Sequence, residues 1–133
     1  MQNDSSKFKK EFINRLIRFS IHTIDFSEKP RKEKISLSVI DQLIRSSTSI
    51  GANVVEAKSS SSKKDYIHYF EIALKSANET KYWFVIVREI AARLQAETNH
   101  LLKEVIEIAN ILASGVLTMK GKKGIILHFT LSF

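Results

Sequence analysis

Residues that interrupt regular secondary structure are scarce in this chain of 133 residues, and their scarcity limits the folds open to it. There is one proline, Pro30, and three of the four glycines lie beyond residue 114. Proline and glycine are the strongest breakers of helices and strands, so long stretches without them favour helices. The sequence therefore predicts an all-α protein built from a few long helices.

Apolar residues recur at the 3.6-residue period of an α-helix in four successive segments. These predict helices over residues 6–27, 32–58, 62–96 and 99–119. Pro30 ends the first segment, because the residue before a proline is disfavoured in the helical conformation. The links are short, and short links place consecutive helices antiparallel. We therefore expect an antiparallel up-down-up-down four-helix bundle in residues 1–120, followed by an atypical C-terminal tail in residues 121–133.

Local features indicate where these helices begin and how they pack. Four consecutive serines, residues 59–62, interrupt the chain, and Ser62 followed by Asp65 resembles a capping box. The second helix contains small residues from Ser46 to Ser49, which are weak helix formers but let a neighbouring helix approach closely. The third helix carries two apolar stripes, which we interpret as cover by two neighbouring helices or by a helix and another subunit.

The tail after Gly121 does not continue any helical period. Gly121 and Gly124 interrupt it, and residues 125–133, IILHFTLSF, alternate loosely as in a β-strand. A single strand has nothing in this chain to pair with. Three interpretations stay open: a docking segment, a strand that pairs between subunits, or a chain end without a structural role.

Residue types needed for common catalytic and cofactor sites are missing or scattered. The absence of cysteine excludes disulfides, zinc–thiolate sites and thiol catalysis. The four histidines lie in different segments, and no two have the i, i+4 spacing of a helical metal site. No nucleophile elbow and no glycine-rich phosphate loop is present. The sequence therefore predicts a protein that is not an enzyme, with no catalytic residue, no metal and no cofactor.

Targeting and membrane signals are also missing from the sequence. The first twelve residues contain no apolar stretch typical of a secretory signal. The apolar runs are far shorter than the roughly 20 residues that a spanning helix needs. We therefore expect a cytoplasmic protein that does not associate with membranes.

Two similar pairs of polar residues lie beside the apolar stripes of the second and third helices. Asn53 precedes Glu56 by one helical turn, and Ser76 precedes Glu79 in the same way. Polar groups beside a core are costly unless they bond one another. We interpret Asn53, Glu56, Ser76 and Glu79 as a structural polar lock between helices. The alternative is a pair of carboxylates for acid–base or metal chemistry.

The formal net charge of +7 is concentrated near the two ends of the sequence. Residues 1–35 carry nine Lys and Arg against five Asp and Glu, whereas residues 36–117 are neutral in sum. Such charge favours contacts with phosphate groups, although a solvated face is the plainer interpretation. The candidate nucleic-acid-binding residues are Arg15, Arg18, Arg31, Lys32 and Lys34, followed by Lys120, Lys122 and Lys123.

Two motifs resemble those of a known family. Residues 49–57 read SIGANVVEA and match the pattern S-(I/V)-G-A-N-x-x-E-(A/G) of that family's second helix. The family's third helix carries S-x-x-(D/E)-(F/Y) and then a run with Phe, Ala, Ser and Glu; here these positions are Ser62, Asp65, Tyr66, Phe70, Ala73, Ser76 and Glu79. From about Phe8 to Lys120, the chain resembles the 23S rRNA intervening-sequence proteins, also called bacterial four helix bundle proteins.

This resemblance implies an antiparallel four-helix bundle that assembles into a ring-shaped homopentamer. It also implies a link to open reading frames inside rRNA intervening sequences, and the family has no accepted catalytic residues. We therefore expect a non-enzymatic oligomer that binds structured RNA, or DNA, through basic phosphate contacts. The alternative is an adaptor with a protein partner, similar to the ring-type accessory protein of diversity-generating retroelements, which binds reverse transcriptase and RNA.

Overall fold

The computed structural model describes residues 4–121, and this range contains helices and turns but no β-strand. The helices are α1 (Asp4–Phe26), α2 (Glu28–Lys32), α3 (Leu37–Ala57), α4 (Lys63–Ile90) and α5 (Gln95–Met119). A 3₁₀ turn, Ala92–Leu94, joins α4 to α5. The prediction of an all-α fold with four long helices is confirmed for the described residues. The predicted tail, apart from Gly121, lies outside them.

The four long helices pack as a bundle in the order α1, α3, α4, α5. Helices α3 and α4 pack together extensively, as do α4 and α5, whereas α1 packs mainly on α3 and only slightly on α5. Cross-helix bonds show the antiparallel direction: Lys120 at the end of α5 contacts Glu71 near the start of α4, and Arg88 near the end of α4 contacts Asn99. The seam between α1 and α5 is therefore the most open side of the bundle.

Large apolar side chains at helical spacing form the core. Phe84 of α4 makes edge-on ring contacts with Phe19 and Phe26 of α1, at centroid distances of 6.3 and 6.1 Å. A Cβ atom built at Gly51 would lie 3.4 Å from Cβ of Leu16, so α1 and α3 approach closely there. Burying each large apolar side chain stabilises the fold by roughly 1.5–3 kcal/mol. Buried core residues include Phe12, Leu16, Ile40, Leu43, Ile50, Val87, Val105, Ile108 and Leu112.

Serine hydroxyls satisfy backbone donors at the starts of α3 and α4. The Asp65 backbone N–H donates to Ser62 Oγ at 3.1 Å, and Ser62 has an extended backbone, with φ −146° and ψ 159°. The prediction that Ser62 caps this helix is confirmed. Ser36 caps α3 in the same manner, since its Oγ accepts from the Ser38 N–H at 3.3 Å.

The predicted boundary between the third and fourth helices is wrong by several residues. The prediction placed it at 97–99, whereas α4 ends at Ile90 and α5 begins at Gln95. Ala91 leaves the helical conformation, with φ −106° and ψ 75°, and both Ala91 and Leu94 are buried. Burial of these two side chains turns the chain without any breaker. Thr98 lies inside α5, and its hydroxyl donates to the Leu94 carbonyl at 2.7 Å.

The predicted start of the second long helix at residue 32 is also wrong. Pro30 is buried in the first turn of α2, a position where a proline is tolerated because its missing N–H would have no helical partner. Lys34 then adopts a left-handed conformation, with φ +62°. The chain thereby changes direction, and α3 begins only at Leu37. Within residues 4–121, every helix is too short or too polar to cross a membrane.

Candidate nucleic-acid interface

Three candidate cations lie together at the corner between α1 and α3. Arg31 and Lys32 occupy the last turn of α2, and Lys34 follows in the turn after it; all three are exposed. Among residues 4–121, none of the three forms an ion pair, whereas Glu33 between them contacts Arg93 at 3.5 Å. The positive charge of this corner is therefore not balanced locally. We call Arg31, Lys32 and Lys34 the basic corner.

Arg15, another candidate, is already bound to carboxylates. Its Nε donates to Glu104 Oε2 at 2.9 Å, and its Nη2 donates to Glu104 Oε1 and Glu107 Oε2, each at 2.6 Å. The hydrogen bond from Arg15 holds the pKa of the Glu104 carboxyl below its usual value, although partial burial acts in the opposite direction. The same bond raises the pKa of the guanidinium. Arg15 therefore ties α1 to α5, while Arg18 lies exposed one turn away.

The two predicted basic clusters lie at opposite ends of the bundle. Lys29, beside the basic corner, contacts Glu97 in the first turn of α5. Lys120 lies about 35 Å further along the same helix, at a rise of about 1.5 Å per residue. It contacts Glu71 at 3.1 Å. Lys122 and Lys123 lie outside the described residues. The structure therefore does not bring Lys120 together with Arg31, Lys32 and Lys34.

A third group of cations was missed by reasoning from sequence. Lys58, Lys63 and Lys64 flank the serine-rich link between α3 and α4, and all are exposed. Within the part of the chain that the structure describes, they form no ion pair. The sequence analysis missed these lysines because the net charge of residues 36–117 is zero. That sum includes carboxylates, such as Glu104, that lie elsewhere in the bundle. The signal was the lysine doublet that follows the run of serines.

Polar side chains connect α3 to α4 through serines. Ser49 and Ser76 bring their Oγ atoms within 3.0 Å, and Asn53 Nδ2 donates to Ser49 Oγ at 3.0 Å. One turn further, Thr80 Oγ1 donates to Ser46 Oγ at 2.9 Å. We call these five residues the α3–α4 polar ladder.

Of the four residues expected in the polar lock, only Asn53 and Ser76 belong to this ladder. Glu56 and Glu79 are exposed, and Glu79 accepts a hydrogen bond from Trp83 Nε1 at 2.9 Å. Exposed carboxylates keep their hydration, so nothing draws them into the interhelical contact. Among residues 4–121 there is no cluster of three or more His, Asp or Glu suited to a metal ion.

Lys81 is a further residue that the sequence analysis did not identify as unusual. Its side chain is fully buried, its Nζ has no hydrogen-bond partner among the described residues, and burial lowers the pKa of the amine. It follows Ala77 by four residues and precedes Phe84 by three, so it occupies an apolar position on α4. The signal was a lysine inside an apolar stripe.

Apolar side chains on the outer side of α1 are exposed. Ile17, Ile21 and Ile24 recur at spacings of four and three residues, and each leaves about half of its surface open to water. Val55 of α3, 47% exposed, lines the same shallow groove as Ile17 and Ile21. We call these four residues the α1 apolar stripe. The second stripe predicted on α4 is mostly covered, apart from Ile90.

Comparison with known proteins agrees with this architecture. The sequence model of the 23S rRNA-intervening sequence protein family matches residues 9–114. A crystal structure of a protein of unknown function from the S23 ribosomal protein family of Bacteroides thetaiotaomicron is similar to the chain, with a TM-score of 0.74 and 28% identity. The match covers 79% of this chain and 97% of that one. No curated protein matches the chain.

Proposed function

The chain belongs to the 23S rRNA-intervening sequence protein family, and on this premise we propose that it is a non-catalytic helical bundle that binds structured RNA. The observation that carries the proposal is the basic corner, where Arg31, Lys32 and Lys34 are exposed and have no carboxylate partner within residues 4–121. The similar protein from Bacteroides thetaiotaomicron is described as a member of a ribosomal protein family, which favours RNA over DNA. The proposal includes a location in the cytoplasm.

Phosphate contacts explain how such a corner binds nucleic acid. Each Lys or Arg that neutralises a phosphate releases a condensed counterion, so affinity falls as the salt concentration rises. The three cations lie within four residues at the end of α2, so that one nucleic-acid backbone can contact all of them. Backbone contacts of this kind recognise the shape of a folded RNA and not its base sequence.

The geometry narrows the set of candidate residues. Arg15 and Lys120 contact carboxylates and would have to break those ion pairs before they could bind phosphate. Arg18 is exposed on α1 and stays a candidate beside the basic corner. Lys58, Lys63 and Lys64 form a separate cationic group of the same formal charge at another corner of the bundle, which makes them a matched control.

The test compares two variants that each lose three positive charges. We expect Arg31→Gln/Lys32→Gln/Lys34→Gln to weaken binding of a fluorescein-labelled RNA hairpin at least tenfold at low salt, measured by fluorescence anisotropy. The slope of log K against log salt should fall by about two to three, because each lost phosphate contact removes about 0.7–0.9 from it. The control Lys58→Gln/Lys63→Gln/Lys64→Gln should bind nearly as tightly as the unchanged chain.

Three results would contradict the proposal. An unchanged chain that binds no RNA hairpin at low salt excludes the function itself. Equal losses in the two variants show that net charge and not the basic corner governs binding. Tighter binding of a DNA hairpin of the same sequence would replace RNA with DNA as the ligand.

Self-association is a second part of the proposed function, and the α1 apolar stripe favours it. Contiguous exposed apolar surface on a globular protein commonly marks an interface. We propose that a second copy of the chain covers Ile17, Ile21 and Ile24 in a ring-shaped homopentamer, which would repeat the basic corner around the ring. The alternative is an adaptor in which a different protein covers the stripe.

A further inference from the structure

An apolar groove of about 690 Å³ opens at the end of the seam between α1 and α5. Phe8 and Phe12 form one wall, Tyr66 and Phe70 of α4 form the floor, and Ile111 and Met119 belong to the opposite wall. Phe8 stacks on Phe12 at 6.2 Å but remains 57% exposed. An exposed aromatic ring beside an open apolar groove indicates a surface that a binding partner covers.

We propose that residues 122–133 of the same chain dock in this groove as an extended segment. The place where the segment begins supports this occupant. Met119 lines the groove, and Gly121 follows it in a left-handed conformation, with φ +72° and its N–H donating to the Thr118 carbonyl. A glycine in this conformation after a helix ends it and redirects the chain. The described part of the chain therefore ends at the mouth of the groove.

The composition of the segment matches an apolar groove. In IILHFTLSF, residues 125–133, every odd-numbered position is Ile, Leu or Phe, whereas His, Thr and Ser occupy even-numbered positions after Ile126. In an extended chain, alternate side chains point to opposite sides. One side of the docked segment is therefore wholly apolar, and the other is largely polar and faces water. Lys122, Lys123 and Gly124 form a short polar spacer before it.

The lengths also agree. The groove follows α5 from Asn110 to Met119, which is about 14 Å at a rise of about 1.5 Å per residue. An extended chain advances about 3.3 Å per residue, so Ile125 to Phe129 cover the groove. The spacer reaches about 10 Å, which is enough to turn back from Gly121 to the groove.

Polar side chains along α5 supply partners for the backbone of the segment. Asn110, Ser114 and Thr118 lie four residues apart on the groove wall, and their side chains have no hydrogen-bond partner within residues 4–121. Four helical residues rise about 6.0 Å, close to the roughly 6.6 Å that two extended residues advance. Consecutive side chains of this row are therefore spaced to bond alternate peptide groups of the segment.

Tethering favours the segment of the same chain over that of a second copy. A short linker gives an effective concentration in the millimolar range, far above that of a separate, unassembled copy in micromolar solution. The sequence contains no cysteine, so a pair of introduced thiols reports the contact without interference. Gly115 suits one of them, because a Cβ atom there would contact nothing within 4 Å.

The test is disulfide formation in the full chain carrying Gly115→Cys and Leu127→Cys. We expect mild oxidation to give an intrachain disulfide at least about tenfold faster than in the control pair, because docking adds to the tethered concentration. Faster migration on a non-reducing gel and intact mass identify that product. The control, Lys64→Cys with Leu127→Cys, places a thiol on an exposed residue at the same end of the bundle, within reach of the tether but outside the groove.

Two results of this experiment would overturn the proposal. Equal rates in the two pairs show that the segment does not occupy the groove. Disulfide-linked dimers as the main product of the first pair would assign the groove to the segment of a second copy. Circular dichroism of both reduced variants checks that they are folded.

Hydrogen exchange provides a second measurement without cysteines. We expect Leu127→Asp/Phe129→Asp to increase exchange in residues 5–12, relative to the unchanged chain, because the groove loses its cover. Identical exchange in the two proteins would contradict docking.

Discussion

Lys81 occupies a position in α4 that the helical period assigns to the core. The side chain is fully buried and its Nζ lacks a hydrogen-bond partner within residues 4–121. Arg88, seven residues later, lies on a similar face of α4 and contacts Asn99 of α5. Lys81 therefore points toward the contact between α4 and α5, where the core side chains of α5 are apolar. Burial favours the neutral amine, and this lowers its pKa.

Replacing this lysine by methionine should stabilise the protein. Methionine has a similar length and no polar atom that needs a partner, and leaving a buried donor unsatisfied costs about 1–3 kcal/mol. We expect Lys81→Met to raise the free energy of unfolding by about that amount, measured by urea denaturation at pH 7. Lys75→Met, at an exposed position of the same helix, should change it by less than about 0.5 kcal/mol.

The pH dependence of stability distinguishes two explanations for a more stable Lys81→Met variant: removal of a buried ionisable amine, or better packing alone. Because the native pKa of Lys81 is below the ordinary value of 10.5, the unfolded chain binds more protons between these two values. The free energy of unfolding should therefore gain a positive slope as pH rises through that window. The slope should be absent in Lys81→Met. A slope that survives the substitution, or a less stable variant, would contradict this account.

At the scale of elements, periodicity and caps predicted the long helices, and packing determined their ends. The cap at Ser62 could be predicted from the sequence, because it depends on a hydrogen bond to a residue only three positions later and follows a run of serines. Ala91 had no such signal, because the chain turns there to bury Ala91 and Leu94. Thr98 is of a residue type common at helix starts, but it lies inside α5 and donates its hydroxyl to the Leu94 carbonyl. Local chemistry is visible in a sequence, whereas burial depends on the whole bundle.

The candidate site, like the helices, could be predicted only in part from the sequence. Cations that are adjacent in sequence, such as Arg31 and Lys32, are also adjacent in space, because both lie in one turn of α2. The ion pairs of Arg15 were not predictable, since its partners Glu104 and Glu107 lie about 90 residues away in sequence. Asn53 and Ser76 joined through Ser49, a residue that looked like small-residue packing alone. Long-range pairing therefore decided which polar residues remain free.

The α3–α4 polar ladder yields a prediction at this scale. Ser49 and Ser76 bond each other at 3.0 Å, so Ser49→Ala and Ser76→Ala should each lower the free energy of unfolding by about 0.5–1.5 kcal/mol. The double variant should lose less than the sum of the two, because both changes remove the same bond. Glu56→Ala, at an exposed position, should have almost no effect. Strict additivity of the two serine changes would contradict the ladder.

The whole molecule divides its charge and its apolar surface among different regions. The basic corner lies at one end of the bundle, and the groove with its aromatic rings lies at the other. The α1 apolar stripe runs along the side between them. A ring formed through that side would leave both ends open, so RNA binding and docking of residues 122–133 need not compete with assembly. Net charge alone, +7 in sum, predicts none of this separation.

Self-association through the α1 apolar stripe is the prediction that tests the molecule as a whole. We expect light scattering to give the unchanged chain a mass several times the 15.2 kDa of one copy. Ile17→Asp/Ile21→Asp should reduce it to 15.2 kDa, because an interface that buries these side chains cannot accommodate unpaired carboxylates. Leu37→Asp/Ile90→Asp, which charges two exposed apolar residues outside the stripe, should keep the larger mass. An unchanged chain of 15.2 kDa, or loss of assembly in both variants, would contradict an interface at this stripe.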